Sequence, residues 1–482
     1  MQKIILAVAL LFTQAVTLLA QKNKQKSNDT RPNIIFILAD DLGYGDIAIN
    51  GQKLIKTPNI DKLAKQGVRF TQFYAGTSVC APSRSSLLTG QHTGHTYIRG
   101  NKGVDPEGQE PIADSVRTVA EILQKAGYQT GAFGKWGLGP VGSEGDPNKQ
   151  GFDQFFGYNC QTLAHRYYPN HLWQNGQKIV LEANKNLIEN KEYAPDIIQK
   201  KALEFVDNRV KDKPFFLFLP YILPHAELLV PNDSILEYYK KHFNEKPYKG
   251  NDYGLKATKG GYTSQEYPHA TFAAMVSRLD LYVGQILEKL KQEGLDKNTL
   301  VIFTSDNGPH KEGGADPVFF NSGGGFRGVK RDLYEGGIRE PFIARWTNVI
   351  KPNSQNNHIG AFWDILPTFA ELAGVKAPKN TDGLSFVPTL KGNKSQAKHA
   401  YLYWEFHENG GVQAVRQDNW KAVKLNASAN PKNEVELYDL AKDPAESKNI
   451  AKQFPEKAKE LEGLMNSSHV ESTLFPFVSQ NK

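Results

Sequence analysis

Two apolar periods alternate along the chain. Apolar runs of strand length occur at 33–39 (NIIFILA), 129–133 (QTGAF), 214–222 (PFFLFLPYI) and 300–305 (LVIFTS). Between them, apolar positions fall three and four apart at 59–67 (NIDKLAKQG), 115–127 (SVRTVAEILQKAG) and 272–294 (FAAMVSRLDLYVGQILEKLKQEG). That spacing gathers apolar side chains on one helix face, and each segment stops at a glycine. Continuous apolar strands separated by helices predict an α/β fold, with a large, mostly parallel sheet sandwiched by helices. After about residue 391 the pattern changes. AYLYWEF, GVQAVRQ, WKAVKL and EVELYDL are short strands at hairpin spacing, and PEKAKELEGLM follows as a helix. The organisation expected is a main domain over 31–390 and a small C-terminal α+β subdomain, an antiparallel sheet plus helix, over 391–482.

The first twenty residues stand apart from this pattern. Lys3 supplies a positive charge, and the apolar run from 4 to 20 is broken only by Thr13, Gln14 and Thr17. The polar QKNKQKSNDTR follows. The layout predicts a cleavable signal peptide over 1–20 and an exported, periplasmic or secreted protein. The run is shorter than the ~20 apolar residues of a membrane span, so no stable membrane insertion is expected. The net charge of +7 is scattered, without the basic stripes of a nucleic-acid binder. There are two cysteines, Cys80 and Cys160, too few for a disulfide framework, although one bridge between them is an open alternative in an oxidising compartment.

Chemistry concentrates directly after the apolar strands. NIIFILA is followed by Asp40 and Asp41, QTGAF by Gly134, Lys135 and Trp136, PFFLFLPYI by Pro224 and His225, and LVIFTS by Asp306, Asn307 and Gly308. Loops at the carboxyl ends of parallel strands line the ligand crevice of an open sheet. An Asp-Asn-Gly is ordinarily a turn and an Asp-Asp ordinarily a helix cap; four such loops together point to a site. Asp40, Asp41, Asp306 and Asn307 offer only oxygen, which selects a hard cation such as calcium or magnesium over zinc. Arg84, Lys135, His225 and Lys330 add cationic or donating groups, so the site suits an anion with several oxygens.

The stretch SVCAPSRSSLLTG (78–90) carries a Cys-x-Pro-Ser-Arg core. With PNIIFILADDLGYGD, TPNIDKLAKQGVRF, GYQTGAFGKWGLG, FTSDNG, GVKRDLYEGGIREP and ELYDLAKDPAE, it makes the chain resemble a formylglycine-dependent sulfatase of the alkaline phosphatase superfamily, from about 31 to 450. The resemblance implies that Cys80 is converted to formylglycine by a formylglycine-generating or anaerobic sulfatase-maturating enzyme. It implies one Ca2+ per chain, held by Asp40, Asp41, Asp306, Asn307 and residue 80. It implies that Arg84 steadies the aldehyde hydrate, that Lys135 and Lys330 grip the sulfate, and that His225 stands near the leaving oxygen. Residue 80 is expected at a helix N-terminus, where free backbone amides favour an anion. The chain departs from the family at Gly137, where a histidine is usual.

The expected substrate is a sulfated carbohydrate, galactose or N-acetylgalactosamine within a glycan, on resemblance to carbohydrate sulfatases with segments like QGFDQFFGYNC and SDNGPHKEGG. His165, Arg166, Trp173, His310, Glu312 and His407 are the side chains expected to meet the sugar. His165 is also a candidate to replace the side chain missing at Gly137. A phosphonate or phosphodiester hydrolase of the same superfamily, and a catalytically silent glycan-binding protein with unmodified Cys80, are the alternatives.

Overall fold

The computed structural model describes residues 30–185, 187, 189–248, 262–263 and 265–477; the stretch 1–20 expected to be a signal lies outside the described residues. Ten strands form one sheet: β1 (Asn33–Ala39), β2 (Val68–Tyr74), β3 (Gln129–Lys135), β4 (Gln154–Tyr158), β5 (His171–Gln174), β6 (Gln177–Val180), β7 (Phe215–Pro220), β8 (Thr299–Ser305), β9 (Phe342–Trp346) and β10 (Ser354–Ala361). Their order is β10-β2-β9-β8-β1-β7-β3-β4-β5-β6. The centre, β8-β1-β7-β3-β4, is parallel throughout. β9 runs antiparallel to both neighbours, and β5 and β6 close the far edge as an antiparallel hairpin.

Both faces of the central strands are buried, and successive side chains divide between them as a period of two requires. Ile35, Ile37, Leu217, Leu219, Val301 and Phe303 pack on one side, with helix Pro268–Gln292. Ile34, Phe36, Phe216, Phe218, Leu300 and Ile302 pack on the other, with Leu366 and Phe369 of helix Ile365–Leu372. The helices expected from the sequence form at Pro58–Lys65, Val119–Lys125 and Pro268–Gln292. The second starts at a capping box, with Thr118 Oγ1 accepting from the Glu121 amide and the Glu121 carboxylate accepting from the Thr118 amide.

A separate antiparallel sheet, β11 (Leu402–Phe406), β12 (Val412–Gln417), β13 (Trp420–Leu425) and β14 (Glu436–Asp439), follows. One face, with Leu402, Trp404 and Phe406, packs on Tyr74, Val79 and Trp363 of the main body. The other, with Tyr403 and Val415, is covered by Leu461 and Met465 of helix Pro455–Ser468.

Candidate active site

The four neighbouring strands β8-β1-β7-β3 deliver their carboxyl-terminal residues to one place. Asp40 and Asp41 leave β1, Asp306 and Asn307 leave β8, Lys135 ends β3, and His225 follows β7. All six are buried. Helix Cys80–Thr89 brings Cys80 as its first residue, after an extended Val79. Its Ala81 amide, expected to be free, donates to Asn101 Oδ1 at 3.1 Å.

The contacts join these residues into one network. Cys80 Sγ lies 3.4 Å from Asp40 Oδ1, and Lys135 Nζ lies 2.7 Å from Asp40 Oδ2. Arg84, one turn along the helix, donates from Nε and Nη2 to Asp306 Oδ2 at 3.0 and 2.8 Å and from Nη1 to the Lys135 carbonyl at 2.9 Å. Asn307 Nδ2 donates to Asp41 Oδ1 at 2.7 Å. Lys330 Nζ reaches Asp41 Oδ2 at 2.8 Å and His225 Nε2 at 2.9 Å. The Asp41 and Arg331 backbones are left-handed, with φ of 63° and 77°. For residues with a Cβ that conformation costs on the order of 1–3 kcal/mol and gathers at functional sites.

Electrostatics follow from burial and from these pairs. Burial alone would raise the Asp40 carboxyl, but Lys135, His225, Arg84 and Lys330 hold it well below the usual range. Burial, reinforced by Asp40, pushes the Cys80 thiol up, so an unmodified Cys80 is a poor nucleophile here. Burial, with Lys330 beside it, pushes His225 well below its ordinary value. Burial and the Asp40 charge raise Asp306 to about 7 against the pull of Arg84. Such a crowd of carboxylates fits a divalent cation. Every candidate ligand atom except those of Cys80 and His225 is an oxygen, among the described residues Asn307 Oδ1 is buried without a hydrogen-bond partner, and ligand atoms of Asp40, Asp41, Cys80 and His225 lie within 4.8 Å of one another. Asp306 and Asn307 would complete the set.

Residues 32–375 match the sulfatase family, and residues 326–470 match the family described as N-sulphoglucosamine sulphohydrolase, C-terminal. The chain belongs to the sulfatase family. It is 30% identical to an N-acetylgalactosamine-6-O-sulfatase of Bacteroides thetaiotaomicron over 91% of this chain and 93% of that one. It is 32% identical to human arylsulfatase A over 87% and 83%. The crystal structure of Ps i-CgsB superposes with a TM-score of 0.74 at 28% identity, covering 91% of this chain and 93% of that one. The protein is accordingly an enzyme hydrolysing sulfate esters, on an alkaline-phosphatase-like fold.

In this sulfatase the side chains expected at a sugar divide into groups. His165 joins the network, its ring stacked on His225 with centroids 4.8 Å apart and planes 8° apart. Glu312 joins it through Lys330 at 3.8 Å and binds Arg331 at 2.6 Å. His310 lies behind His225, and its ring nitrogens already engage the Pro224 carbonyl and the Glu312 amide. Arg166 lines a neighbouring cavity of about 520 Å³ with Glu107 and His171. Trp173 donates to Glu107 at 2.8 Å, and His407 bonds Glu405 at 2.9 Å; these two are held by other carboxylates than those of the network.

Two residues of the site carried no signal in the sequence reading. Arg331 donates to Glu312, which also lies 3.8 Å from Lys330. Gln161, and not His165, fills the space beside Gly137, its Nε2 standing 2.2 Å from where a Cβ on residue 137 would be. Cys80 and Cys160 are both free and buried, so the alternative of a bridge does not hold in this structure.

Proposed function

We propose that this sulfatase is an exported enzyme removing sulfate from galactose or N-acetylgalactosamine of sulfated glycans, with Cys80 converted to formylglycine and one calcium ion bound. The observation that carries the reading is the convergence of Lys135, Lys330 and His225 on the two aspartates and Cys80. Support for the sugar comes from the relative named as an N-acetylgalactosamine-6-O-sulfatase, and support for export from the charged and apolar first twenty residues. The conversion of Cys80 requires a maturating enzyme as partner, and the Cys-x-Pro-Ser-Arg core supports it.

Calcium would be held by Asp40, Asp41, Asp306 and Asn307, and supplies positive charge that favours ionisation of a hydroxyl beside it. Formylglycine supplies, as its hydrate, that hydroxyl at position 80. The rest falls to unmodified side chains. Lys135 and Lys330 present ammonium groups on either side of the carboxylate pair, placed to bind sulfate oxygens as charge shifts onto them. Arg84 fixes Asp306 through two hydrogen bonds and keeps the aspartates compensated. His225 accepts from Lys330 at Nε2 and engages the Ala226 carbonyl at Nδ1, which sets its tautomer. An arriving sulfate anion competes for Lys330 and favours the protonated ring, from which Nε2 can give its proton to the departing alcohol oxygen. Net hydrolysis consumes one water and yields the alcohol and sulfate.

The test is intact-peptide mass spectrometry of residue 80, together with turnover of defined sulfated monosaccharides. Conversion replaces the thiol and one hydrogen by a carbonyl oxygen, and matured protein should cleave a sulfated galactose or N-acetylgalactosamine. Protein with converted residue 80 that prefers nitrophenyl phosphonate or phosphodiester over nitrophenyl sulfate would overturn the substrate class. Full activity in Cys80→Ala would overturn the nucleophile.

A further inference from the structure

Lys135 ends β3, and Gly137 follows it by two residues. Lys135 sends Nζ to Asp40, and its carbonyl accepts from Arg84. Trp136, between them, turns its indole onto Phe152 and donates to the Gly145 carbonyl. Gly137 lies beyond the strand with a left-handed backbone, φ 74°, and leaves the space beside it free of any side chain of its own. Gln161 occupies that space. Its Nε2 and Cδ lie 2.2 and 3.0 Å from the position of a Cβ on residue 137.

The Gln161 side chain has no counterpart there. It is 5% exposed, and among the described residues neither Nε2 nor Oε1 has a hydrogen-bond partner. Its backbone amide, by contrast, is held by Gln109 Oε1 at 3.0 Å. Gln161 opens the short helix Gln161–Ala164, and His165, which caps that turn, is the residue stacked on His225. Residues four apart lie on one side of a helix. The amide therefore stands on the side of the stacked histidines, next to the turn that follows Lys135. A buried polar group left unmet destabilises the fold, whereas a leucine of similar volume would not. A glutamine retained there points to a partner that arrives from outside.

We propose that Gln161 is a substrate-binding residue, its Nε2 donating to an oxygen of the bound sulfate ester and its Oε1 accepting from a ligand hydroxyl. The proposal rests on the reading of this site as one for sulfate esters. A primary amide does not titrate in the working range, so its role is to position the ester against Lys135 and not to carry a proton. A glycine at 137 suits both the left-handed backbone there, φ 74°, and the space the amide takes.

The experiment uses the matured, calcium-loaded enzyme. Gln161→Leu should lower kcat/KM for a sulfated monosaccharide roughly 10- to 100-fold, while the Tm stays equal or rises. Nitrophenyl sulfate measured in parallel locates the contact. A loss on both substrates puts the amide at the sulfate, and a loss on the sugar alone puts it at a ring hydroxyl. Unchanged kcat/KM on both substrates overturns the proposal. So does a loss accompanied by a clear fall in Tm, which marks a structural role. Absence of any sulfate-ester turnover in the parent would count against the site reading instead. Gln161 is then tested by the rise in Tm that sodium sulfate gives over sodium chloride at equal ionic strength: its disappearance in Gln161→Leu supports the contact, and its persistence refutes it.

Discussion

Lys330 shows how tightly the site binds its own charges together. Its Nζ serves Asp41 and His225 at once, with Glu312 at 3.8 Å. Burial opposes its charge, yet Asp41 and the other anions push it well above the ordinary lysine value, so it stays protonated throughout the working range. Lys330→Met should therefore cost on the order of a hundredfold or more in kcat/KM for a sulfate ester, the scale of losing one preorganised donor to developing charge. Steady-state kinetics checks this, with the mass of residue 80 as control for maturation; a loss below tenfold would remove Lys330 from the sulfate-binding set. At this scale the sequence was legible wherever a polar residue directly follows a buried strand. Asp40, Asp41, Lys135, His225, Asp306 and Asn307 were found that way, and the structure joins all six in one network. Arg84 and Lys330 sit on a helix and a loop with no strand to point at them; their charge suggested a place at an anion site, and the resemblance gave each its role. Gln161 was invisible because its meaning lies in a close approach to Gly137, a contact between the turn after β3 and a helical turn two dozen residues later. His310 looked available for a ligand because its backbone partners could not be read from the order of residues.

Among the elements, the central strands were legible because burial on both faces makes them uniformly apolar. The edges were not. β2 (VRFTQFY) and β10 (SQNNHIGA) are only partly buried, and their mixed polarity masks a strand. The β5–β6 hairpin did carry a signal, an Asn175-Gly176 turn in which both residues have positive φ, 46° and 81°. The joint between the two sheets depends on a buried charge cluster whose members are far apart in sequence. Lys421 of β13 contacts Glu335 at 3.0 Å and Glu446 at 2.9 Å, all three side chains being 0% exposed. Burial opposes the Glu335 charge, but Lys421, Arg339 and Arg416 hold its carboxyl at about 2. Removing one partner from a buried ion pair typically costs about 3–5 kcal/mol. Lys421→Met should lower the urea midpoint accordingly near neutral pH. The part carried by Glu335 is fully present above the ordinary glutamate value of 4.5 and is lost as pH falls through about 2, whereas burial raises Glu446 to about 7, so its charge pairing with Lys421 is already lost as pH falls through that value. The gap between parent and variant should therefore narrow as pH falls through about 7 and again between 4.5 and about 2, and a gap independent of pH would mean that packing, not charge, holds the joint.

For the whole molecule, the proposed calcium site would link folding to the ion. Its proposed ligands come from two neighbouring strands at the centre of a ten-stranded sheet, and no part of the chain could supply them before β1 and β8 have paired. An ion bound only by the folded state stabilises it by RT ln(1 + [L]/Kd), about 2.7 kcal/mol at a hundredfold excess over Kd. Lys135, Lys330 and Arg84 already compensate part of the aspartate charge, so the sheet should fold without the ion and gain stability with it. The expected result is a Tm that falls on dialysis against a chelator and recovers saturably as calcium is added. Magnesium should restore less, because it prefers a smaller, near-octahedral cage and releases its waters reluctantly. Asp306→Ala separates this from general ionic effects. Loss of one carboxylate ligand should remove both turnover and the response of Tm to calcium, leaving a folded sheet with its far-ultraviolet dichroism intact. A parent enzyme whose Tm is identical in chelator and in millimolar calcium, with turnover undiminished after exhaustive chelation, would show that the aspartates are held by their lysine and arginine partners alone.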